Sequence, residues 1–365
     1  MSKHKFPYNW TLKDAVFTKD KGTVFSCFAC GGGSTMGYKL AGFDVIGCNE
    51  IDPKMIEAYI ANHNPKYPFL ESITTFKLRD DLPQELYNLD ILDGSPPCSS
   101  FSMAGNREKD WGKEKKFREG QQEQILDNLF FDFIDLAKKL QPKVVVAENV
   151  KGLLIGAAFD YVRRIYEAFD EAGYYVQHWL LDASKMGVPQ RRERVFFIAL
   201  RKDLAERFLE SVDMFSVKPK IEIEFNEPEI KFKEILESKA NRKPLSPSIK
   251  RIYDLRLPFE MCLGETSERL GKRSHFNYMV LSLDKVSYTV TGHECLIYDN
   301  GFLTECELKS IGSYPVDYNF TGQRPGYLIG MSVPPVMTAN IASNIYDQWL
   351  SKLKNNKNQF DLNQS

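Results

Sequence analysis

Residues 24 to 34 read VFSCFACGGGS, and this stretch decides the fold. The apolar strand predicted at Val24 to Phe28 runs into the glycine turn Gly31 to Gly33, and a helical pattern through Met36 and Leu40 follows. Glycines in such a turn let a ligand approach the backbone closely. Strand, turn and helix in this order are typical of a nucleotide-binding α/β unit, although a plain tight turn gives the same pattern.

An acidic residue ends the next predicted strand, Val45 to Asn49. Glu50 lies about twenty residues beyond the glycine turn, where a carboxylate typically holds ribose hydroxyls. The order of these elements predicts a site for an adenosine-containing cofactor. The residues expected to line it are Phe28, Ala29, Gly31, Gly32, Gly33, Glu50 and Ile51.

Short apolar strands alternate with amphipathic helices between Thr23 and Leu200, which is the α/β pattern. Several strands are continuous apolar runs, typical of a sheet that helices cover on both faces. The pattern therefore predicts a Rossmann-like, doubly wound sheet. The predicted strands are Val24 to Phe28, Val45 to Asn49, Asp90 to Asp93, Val144 to Glu148, Val176 to Leu181 and Val195 to Leu200.

The pattern changes after Leu200, where lysines and arginines are interspersed with prolines and isolated apolar residues. This predicts a second, smaller and irregular domain at 205–324. The first domain is expected to comprise 20–204 together with 325–353, the latter containing a terminal helix at Val336 to Leu350. The tail 354–365 is rich in Asn and Gln and is expected to be disordered.

Composition limits the classes of function. The chain has 48 basic and 49 acidic residues in 365, so any nucleic-acid-binding surface must be local. The seven cysteines are scattered, and no apolar run approaches membrane length, which predicts a cytoplasmic protein without a membrane partner. Cys27 and Cys30 form a C-x-x-C without a second pair at zinc spacing, so no metal is expected.

A candidate nucleophile lies in residues 93 to 102, which read DGSPPCSSFS. Pro96 and Pro97 fix φ and remove backbone donors, so the thiol of Cys98 is carried on a stiffened turn at the end of a strand. Taken alone, Cys98 is better interpreted as a buried cysteine beside a proline-rich turn.

Two further segments carry charge into the same predicted region. Glu148 ends an apolar strand, where a carboxyl stays protonated more easily and can act as an acid, although it could also cap the following turn. In Gln190 to Arg194, alternation places Gln190, Arg192 and Arg194 on one side of an extended segment. Guanidinium groups suit phosphates or a carbonyl-rich base, and the alternative is an edge strand kept soluble by charge.

These signals converge because of their placement. Phe28, Glu50, Cys98 and Glu148 each fall at the carboxyl end of a predicted strand, and in a doubly wound sheet those ends share one crevice.

At these residues the chain resembles the DNA cytosine-5 methyltransferases of bacteria and phages, over most of its length. Six segments carry the resemblance in the family's order. They are Phe28 to Gly33 (F-x-G-x-G-G), Ser95 to Cys98 (Pro-Cys), Glu148 to Val150 (E-N-V), Gln190 to Arg194 (Q-x-R-x-R), Leu303 to Glu307 (L-T-x-x-E) and Gly330 to Pro335 (G-N-S-V-P-P).

The chain departs from the family pattern without losing a reacting group. Cys30 replaces the first glycine of the cofactor loop, and Ser72 stands where an aspartate normally contacts the adenine amino group. Ser99 replaces a Gln, Gly301 an Arg, and Met331 the Asn of the last segment.

The resemblance implies a Rossmann-like sheet that binds S-adenosyl-L-methionine, and a target-recognition domain at 205–324. It implies that Cys98 attacks carbon 6 of a flipped cytosine, that Glu148 holds ring nitrogen 3, and that Arg194 and Arg192 bind the ring carbonyl or order the nucleophile loop. Further cofactor contacts are expected at Ser72, Ile73, Pro97, Ser332 and Val333. Substrate contacts are expected at Ser99, Ser102, Asn149, Gln190, Arg269, Lys272 and Arg273.

The partner implied is double-stranded DNA, with a cognate restriction endonuclease as a candidate second partner and a monomer as the expected state. The polar and basic segment Ser99 to Gln122 is predicted to close over the DNA as a lid.

Three alternatives stay open. A transfer-RNA cytosine-5 methyltransferase shares the Pro-Cys and E-N-V segments, although a variable region of about a hundred residues favours DNA. A nicotinamide-dependent oxidoreductase would use the glycine turn and Glu50 but would give Cys98 and Glu148 no shared role. A catalytically degenerate DNA-binding protein of the same fold would accommodate the changes at Cys30, Ser72 and Met331.

Overall fold

The computed structural model describes residues 3–97, 114–115, 124–125, 128–155, 159–212, 216–238, 240–272, 278–293 and 295–354. The candidate nucleophile Cys98 lies outside these ranges, as do Ser99, Ser102 and Arg273. Most of the predicted lid and residues 355–365 of the predicted tail also lie outside them.

The predicted strands are present, and they form a mixed sheet. The strands of the described residues are, in chain order, β1 Thr23–Cys27, β2 Asp44–Glu50, β3 Tyr67–Leu70, β4 Ile91–Gly94, β5 Glu114–Lys115, β6 Gln124–Ile125, β7 Val144–Val150, β8 Tyr174–Asp182, β9 Glu193–Arg201, β10 Leu209–Ser211, β11 Val217–Pro219, β12 Met279–Val280, β13 Leu296–Tyr298 and β14 Gly301–Phe302. Seven of them form one sheet in the order β3-β2-β1-β4-β7-β9-β8. β1 to β4 and β7 pair in parallel, whereas β9 runs antiparallel to β7.

Local sequence explains where the helices start and stop. The α-helices of the described residues are α1 Gly33–Leu40, α2 Pro53–His63, α3 Ile73–Phe76, α4 Leu129–Leu140, α5 Phe159–Glu171, α6 Lys202–Ala205, α7 Pro247–Asp254, α8 Leu263–Arg269, α9 Glu305–Ile311, α10 Pro325–Met331 and α11 Pro335–Ile345. In α2, for example, the Asp52 side chain accepts from the Lys54 N–H and Pro53 occupies the first turn. Asn64 in the left-handed region then ends the helix.

Helices cover both faces of the sheet, as predicted. On one face, Phe25 of β1 and Phe197 of β9 belong to an apolar cluster that includes Phe130 and Phe133 of α4. Side chains alternate along a strand, so Ser26 of β1 points to the other face, where α1 lies. The sequence therefore predicted the Rossmann-like α/β sheet correctly, while it missed β3 and the reversed direction of β9.

The chain divides into two compact units. The sheet unit comprises Val16–Leu181, Glu193–Glu224 and Thr338–Ser365, and the second unit comprises Met1–Ala15, Asp182–Arg192 and Phe225–Met337. These bounds assign 182–192 and 325–337 to the second unit, unlike the predicted 20–204 with 325–353. The functional division into catalytic and target-recognition domains stays a prediction.

The second unit has a small core of its own, in which Leu245, Leu263 and Val280 pack with residues of β13 and β14. In the same unit Glu307 is fully buried, pairs with Arg242, and forms a capping box with Thr304 at the start of α9. Across the described parts of the chain, no helix combines the length and apolarity needed to cross a bilayer.

Candidate active site

The glycine turn after β1 has a left-handed backbone. Gly32, with φ 86°, is the N-cap of α1. A Cβ at Gly32 would lie 2.2 Å from Nε2 of His63, so both conformation and space require glycine there. Phe28 and Cys30 are also left-handed, with φ of 51° and 48°. Cys30 therefore adopts a conformation natural to the glycine it replaces, with a steric cost that glycine would avoid.

Glu50 braces this turn from the end of β2. Its carboxylate accepts hydrogen bonds from the backbone N–H groups of Cys30 at 2.7 Å, Ile51 at 2.8 Å and Asp52 at 2.9 Å. Burial raises the pKa of Glu50, and these N–H donors oppose that shift. A carboxylate has about four lone-pair sites, so a further donor such as a ribose hydroxyl can still be accepted.

The ends of three parallel strands bring the predicted cofactor residues to one edge of the sheet. Phe28, Glu50 and Ser72 lie at or after the carboxyl ends of β1, β2 and β3, which pair side by side. Ser72 caps α3, because its hydroxyl accepts from the Thr74 N–H at 3.3 Å, and Ile73 is buried. A left-handed glycine turn, a buried carboxylate and a hydroxyl at one sheet edge fit the adenosine part of a cofactor.

The turn that leads to Cys98 is anchored to β7. Asn149 is buried, and its side-chain amide donates to the Pro96 carbonyl at 3.1 Å. The structure thus gives Asn149 a contact with the turn itself, while its predicted substrate contact stays a prediction. Pro97 is half-buried at the same edge.

Glu148 and Arg194 form a close ion pair at this edge. Arg194 Nε lies 2.9 Å from Glu148 Oε1, and the side chains are 17% and 13% exposed. The pair exists because antiparallel β9 places Arg194 opposite Val150, beside Glu148. The expected apolar neighbourhood of Glu148 is therefore wrong, since a guanidinium faces the carboxylate.

Arg192 and Gln190 make internal contacts in the second unit. Arg192 is 2% exposed and donates to the carbonyls of Val290, Gly330 and Ser332 at 3.2, 2.9 and 2.9 Å. Gln190 donates to the Ile311 carbonyl at 3.1 Å. Arg192 was expected to point its guanidinium into the active site. Instead, the guanidinium binds backbone carbonyls of its own unit.

The remaining predicted residues of the second unit differ in their surroundings. Ser332 and Val333 are buried, and the Ser332 hydroxyl donates to the Leu328 carbonyl at 2.9 Å. Arg269 lies 2.6 Å from Glu260 and also donates to the Leu255 carbonyl, so its guanidinium is engaged internally. Lys272 is exposed.

Sequence reasoning missed a buried carboxyl beside the site. Asp93 of β4 accepts from the Ser26 hydroxyl at 2.8 Å and from the Tyr38 hydroxyl at 3.1 Å. A charged residue at the end of an apolar strand, just before the proline turn, is the signal that could have found it. Among the described residues, no three side chains of His, Cys, Asp or Glu group in a way that could hold a metal ion.

Comparison with known proteins identifies the family of the chain. The family described as C-5 cytosine-specific DNA methylase matches residues 22–347. The type II methyltransferase M.FnuDI of Fusobacterium nucleatum is 38% identical over 181 residues, which cover 50% of this chain and 47% of that protein. The chain thus spans about half the length of this relative.

Longer matches are more distant. The type II methyltransferase M1.HphI of Haemophilus parahaemolyticus is 28% identical over 339 residues, which cover 88% of this chain and 86% of that protein. The crystal structure of a DNMT2 mutant from Spodoptera frugiperda covers 89% of this chain and 99% of its own, with a TM-score of 0.62 at 18% identity, and so shows the shared fold. Because the family match extends over most of its length, the chain belongs to the C-5 cytosine-specific DNA methylases.

Proposed function

We propose that the protein is a DNA (cytosine-5)-methyltransferase, which methylates carbon 5 of a cytosine flipped out of duplex DNA. The observation that carries the proposal is the Glu148–Arg194 pair beside the turn that leads to Cys98, held by the bond from Asn149 to Pro96. Glu148, Arg194 and the turn before Cys98 lie at the same edge of the sheet as the glycine turn.

Cys98 is the proposed nucleophile. Its thiolate adds to carbon 6 of cytosine, and the electrons of the 5,6 double bond move to carbon 5. Carbon 5 then takes the methyl group as the bond from that methyl group to the sulfur of the methyl donor breaks. Loss of the carbon-5 proton restores the double bond as the sulfur–carbon bond breaks, which releases the thiolate.

Glu148 and Arg194 stabilise the base during this addition. Glu148, when protonated, donates to ring nitrogen 3 and so stabilises the electron-rich ring. Arg194 holds the Glu148 carboxyl in place and is a donor for the ring carbonyl. Arg192 has a supporting role through the carbonyls that it holds in its own unit.

The cofactor proposed is S-adenosyl-L-methionine, which supplies the methyl group when bound. Phe28, Ala29 and the glycine turn offer backbone to it, Glu50 offers a carboxylate to the ribose, and Ser72 offers a hydroxyl to the adenine. Ile51, Ile73 and Pro97 are proposed to contact it as well, with Ser332 and Val333 contributing from the last motif.

Duplex DNA is the proposed substrate. A base in a duplex must leave the stack before the thiol can reach it, and this extrusion costs about a few kcal/mol. Exposed Lys272 is proposed to contact phosphates, together with Arg273 outside the described residues. Since two relatives are named type II methyltransferases, we also propose a cognate restriction endonuclease as partner. We further propose that the protein acts as a monomer in the cytoplasm.

The first test is a covalent trap. Wild-type protein is incubated with cofactor and duplex DNA that carries 5-fluorocytosine, whose carbon 5 has no proton to lose. We expect an adduct that survives denaturation and is absent from Cys98→Ser. Adduct formation by Cys98→Ser at the wild-type level would exclude the mechanism.

The second test distinguishes DNA from RNA. Methyl transfer from tritiated cofactor is measured with duplex DNA and with transfer RNA in parallel. Label in DNA supports the proposal, and label in RNA alone identifies an RNA methyltransferase. Sequencing of methylated cytosines in DNA from expressing cells then reads the target site.

A further inference from the structure

Asp93 is a buried carboxyl that the proposed mechanism does not use. It lies in β4, where Ser26 of β1 and Val146 of β7 are its neighbours in register, and it is 4% exposed. The chain continues from it through Gly94 and Ser95 into the proline turn before Cys98.

Among the described residues, the side chains that donate hydrogen bonds to Asp93 are all hydroxyls. Ser26 donates to one carboxylate oxygen at 2.8 Å and Tyr38 to the other at 3.1 Å, and Ser34 adds a hydrogen bond. In the described part of the chain, no lysine, arginine or histidine forms an ion pair with it. Burial raises the pKa of Asp93 to about 7. Such a group is unfavourable for folding by comparison with an apolar side chain, so stability alone does not explain it.

The elements that meet at Asp93 carry the two halves of the site. Ser26 lies in β1, which runs into the glycine turn, and Tyr38 lies on α1, which starts from that turn. Asp93 itself lies on the strand that runs into the proline turn. One carboxyl therefore joins the proposed cofactor side to the proposed nucleophile side.

We propose that Asp93 is a positioning residue that sets the placement of the Pro96–Pro97 turn relative to the glycine turn, through its hydrogen bonds to Ser26 and Tyr38. This inference rests on the proposed methyl transfer, because the methyl donor at the glycine turn and the thiol after the proline turn must reach the same base. A misplacement on the order of 1 Å at a reacting centre lowers rates by about a hundred-fold.

The test compares Asp93→Asn, Asp93→Ala and Tyr38→Phe with a matched control, Asp90→Asn. Asp90 is also a buried carboxyl bound to β1, since it accepts from the Thr23 N–H at 2.8 Å, but it precedes the same strand at its opposite end and pairs with Lys143. Its replacement perturbs β4 without touching either turn.

We expect Tyr38→Phe and Asp93→Asn to lower kcat for methyl transfer and the rate of adduct formation by about ten-fold, and Asp93→Ala by up to about a hundred-fold. Asp90→Asn is expected to lower Tm and to leave kcat within about two-fold. The Tyr38→Phe/Asp93→Asn double variant should be no slower than the slower single variant, because one interaction is removed twice.

The inference is overturned if the Asp93 and Tyr38 variants lower only Tm, with kcat per folded molecule unchanged, or if their effects on kcat add. Hydrogen exchange of peptides covering 28–40 and 88–97 separates this result from failure of the proposed function. If wild type transfers no methyl group, faster exchange of both peptides in Tyr38→Phe still supports the link, and unchanged exchange in 88–97 refutes it.

Discussion

Carboxyl groups at the functional edge of the sheet differ in what holds them. Glu50 is held by three backbone N–H groups, Asp93 by hydroxyls, and Glu148 by the guanidinium of Arg194. The three N–H groups fix the turn that Glu50 braces, and the Arg194 guanidinium fixes the position of the Glu148 carboxylate. Burial raises the pKa of Asp93, and the hydrogen bonds from its hydroxyl partners oppose that shift. Similar side chains thus have three different surroundings, and the roles proposed for them are to brace a cofactor turn, to link two turns and to form a catalytic pair.

The raised pKa of Asp93 predicts that the free energy of unfolding depends on pH. Burial, opposed by the Ser26 and Tyr38 hydrogen bonds and reinforced by the charge of Glu148, raises its pKa to about 7 in the folded chain, against about 3.9 when unfolded. Between these values the folded chain binds the extra proton, so the contribution of Asp93 to the free energy of unfolding falls as pH rises from about 4 to 7.

Asp93→Asn removes this dependence. Urea unfolding of wild type and variant at several pH values should give a difference in free energy that shifts toward the variant as pH rises, by up to about 1.4 kcal/mol per pH unit. A pH-independent difference would show that Asp93 keeps an ordinary pKa in the folded state.

Glu148→Gln is expected to lower kcat by about a hundred-fold to ten-thousand-fold, because the amide cannot supply a proton to the base. The measurement is methyl transfer under saturating cofactor and DNA. Lys151→Met is the control. Lys151, just after the end of β7, pairs with Glu193, at the start of β9, at an Nζ–Oε2 distance of 2.8 Å, and both side chains are well exposed. An exposed ion pair contributes little to the stability of the fold, so this control should change kcat less than two-fold.

At the scale of elements, α1 starts from a turn that excludes a side chain at one position and carries one at another. Gly32 has no room for a side chain beside His63, whereas Cys30 carries one in the left-handed region. Burial holds the pKa of His63 well below its usual range, so a neutral imidazole packs against the turn.

Substitutions at these two positions should therefore differ in their effect on the free energy of unfolding. Gly32→Ala is expected to lower the free energy of unfolding by more than about 1 kcal/mol and to weaken cofactor binding, because the turn must move away from His63. Cys30→Gly is expected to be neutral or stabilising by up to about 1 kcal/mol, since relief of the left-handed strain exceeds the entropy that glycine adds to the unfolded chain. Urea unfolding and calorimetric titration with the cofactor measure both, and stabilisation by Gly32→Ala would contradict the geometry.

At the scale of the whole molecule, the net charge of −1 gives no general attraction to DNA. The proposed DNA binding must then depend on local basic residues, and each phosphate contact adds about one unit to the slope of log affinity against log salt. Lys272 is exposed in the second unit, whereas Lys250 is paired with Asp254 at 2.8 Å.

Lys272→Ala is accordingly expected to weaken DNA binding uniformly across sequences and to reduce the salt slope by about one unit. Lys250→Ala is the matched control and should change the slope less, because Asp254 already neutralises Lys250. Fluorescence anisotropy over a salt series measures both. An equal effect of the two substitutions would place the phosphate contact elsewhere.

The sequence by itself determined the α/β sheet, because strands buried on both faces must be continuous apolar runs. It also determined the glycine turn, Glu50 and the proline turn, since these are local features with local chemistry. β3 escaped prediction because its four residues, Tyr67–Leu70, include a proline and alternate between half-buried and exposed.

Only the tertiary structure decided which side chains meet. The direction of β9 is not encoded in its own apolar residues, yet it is what brings Arg194 to Glu148 and corrects the apolar neighbourhood predicted there. In the same way, Asp93 gained its role from Ser26 and Tyr38, which lie on other elements. Local patterns record burial and turn geometry, whereas the surroundings of a charged group depend on segments far apart in the chain, and only the packed fold specifies those.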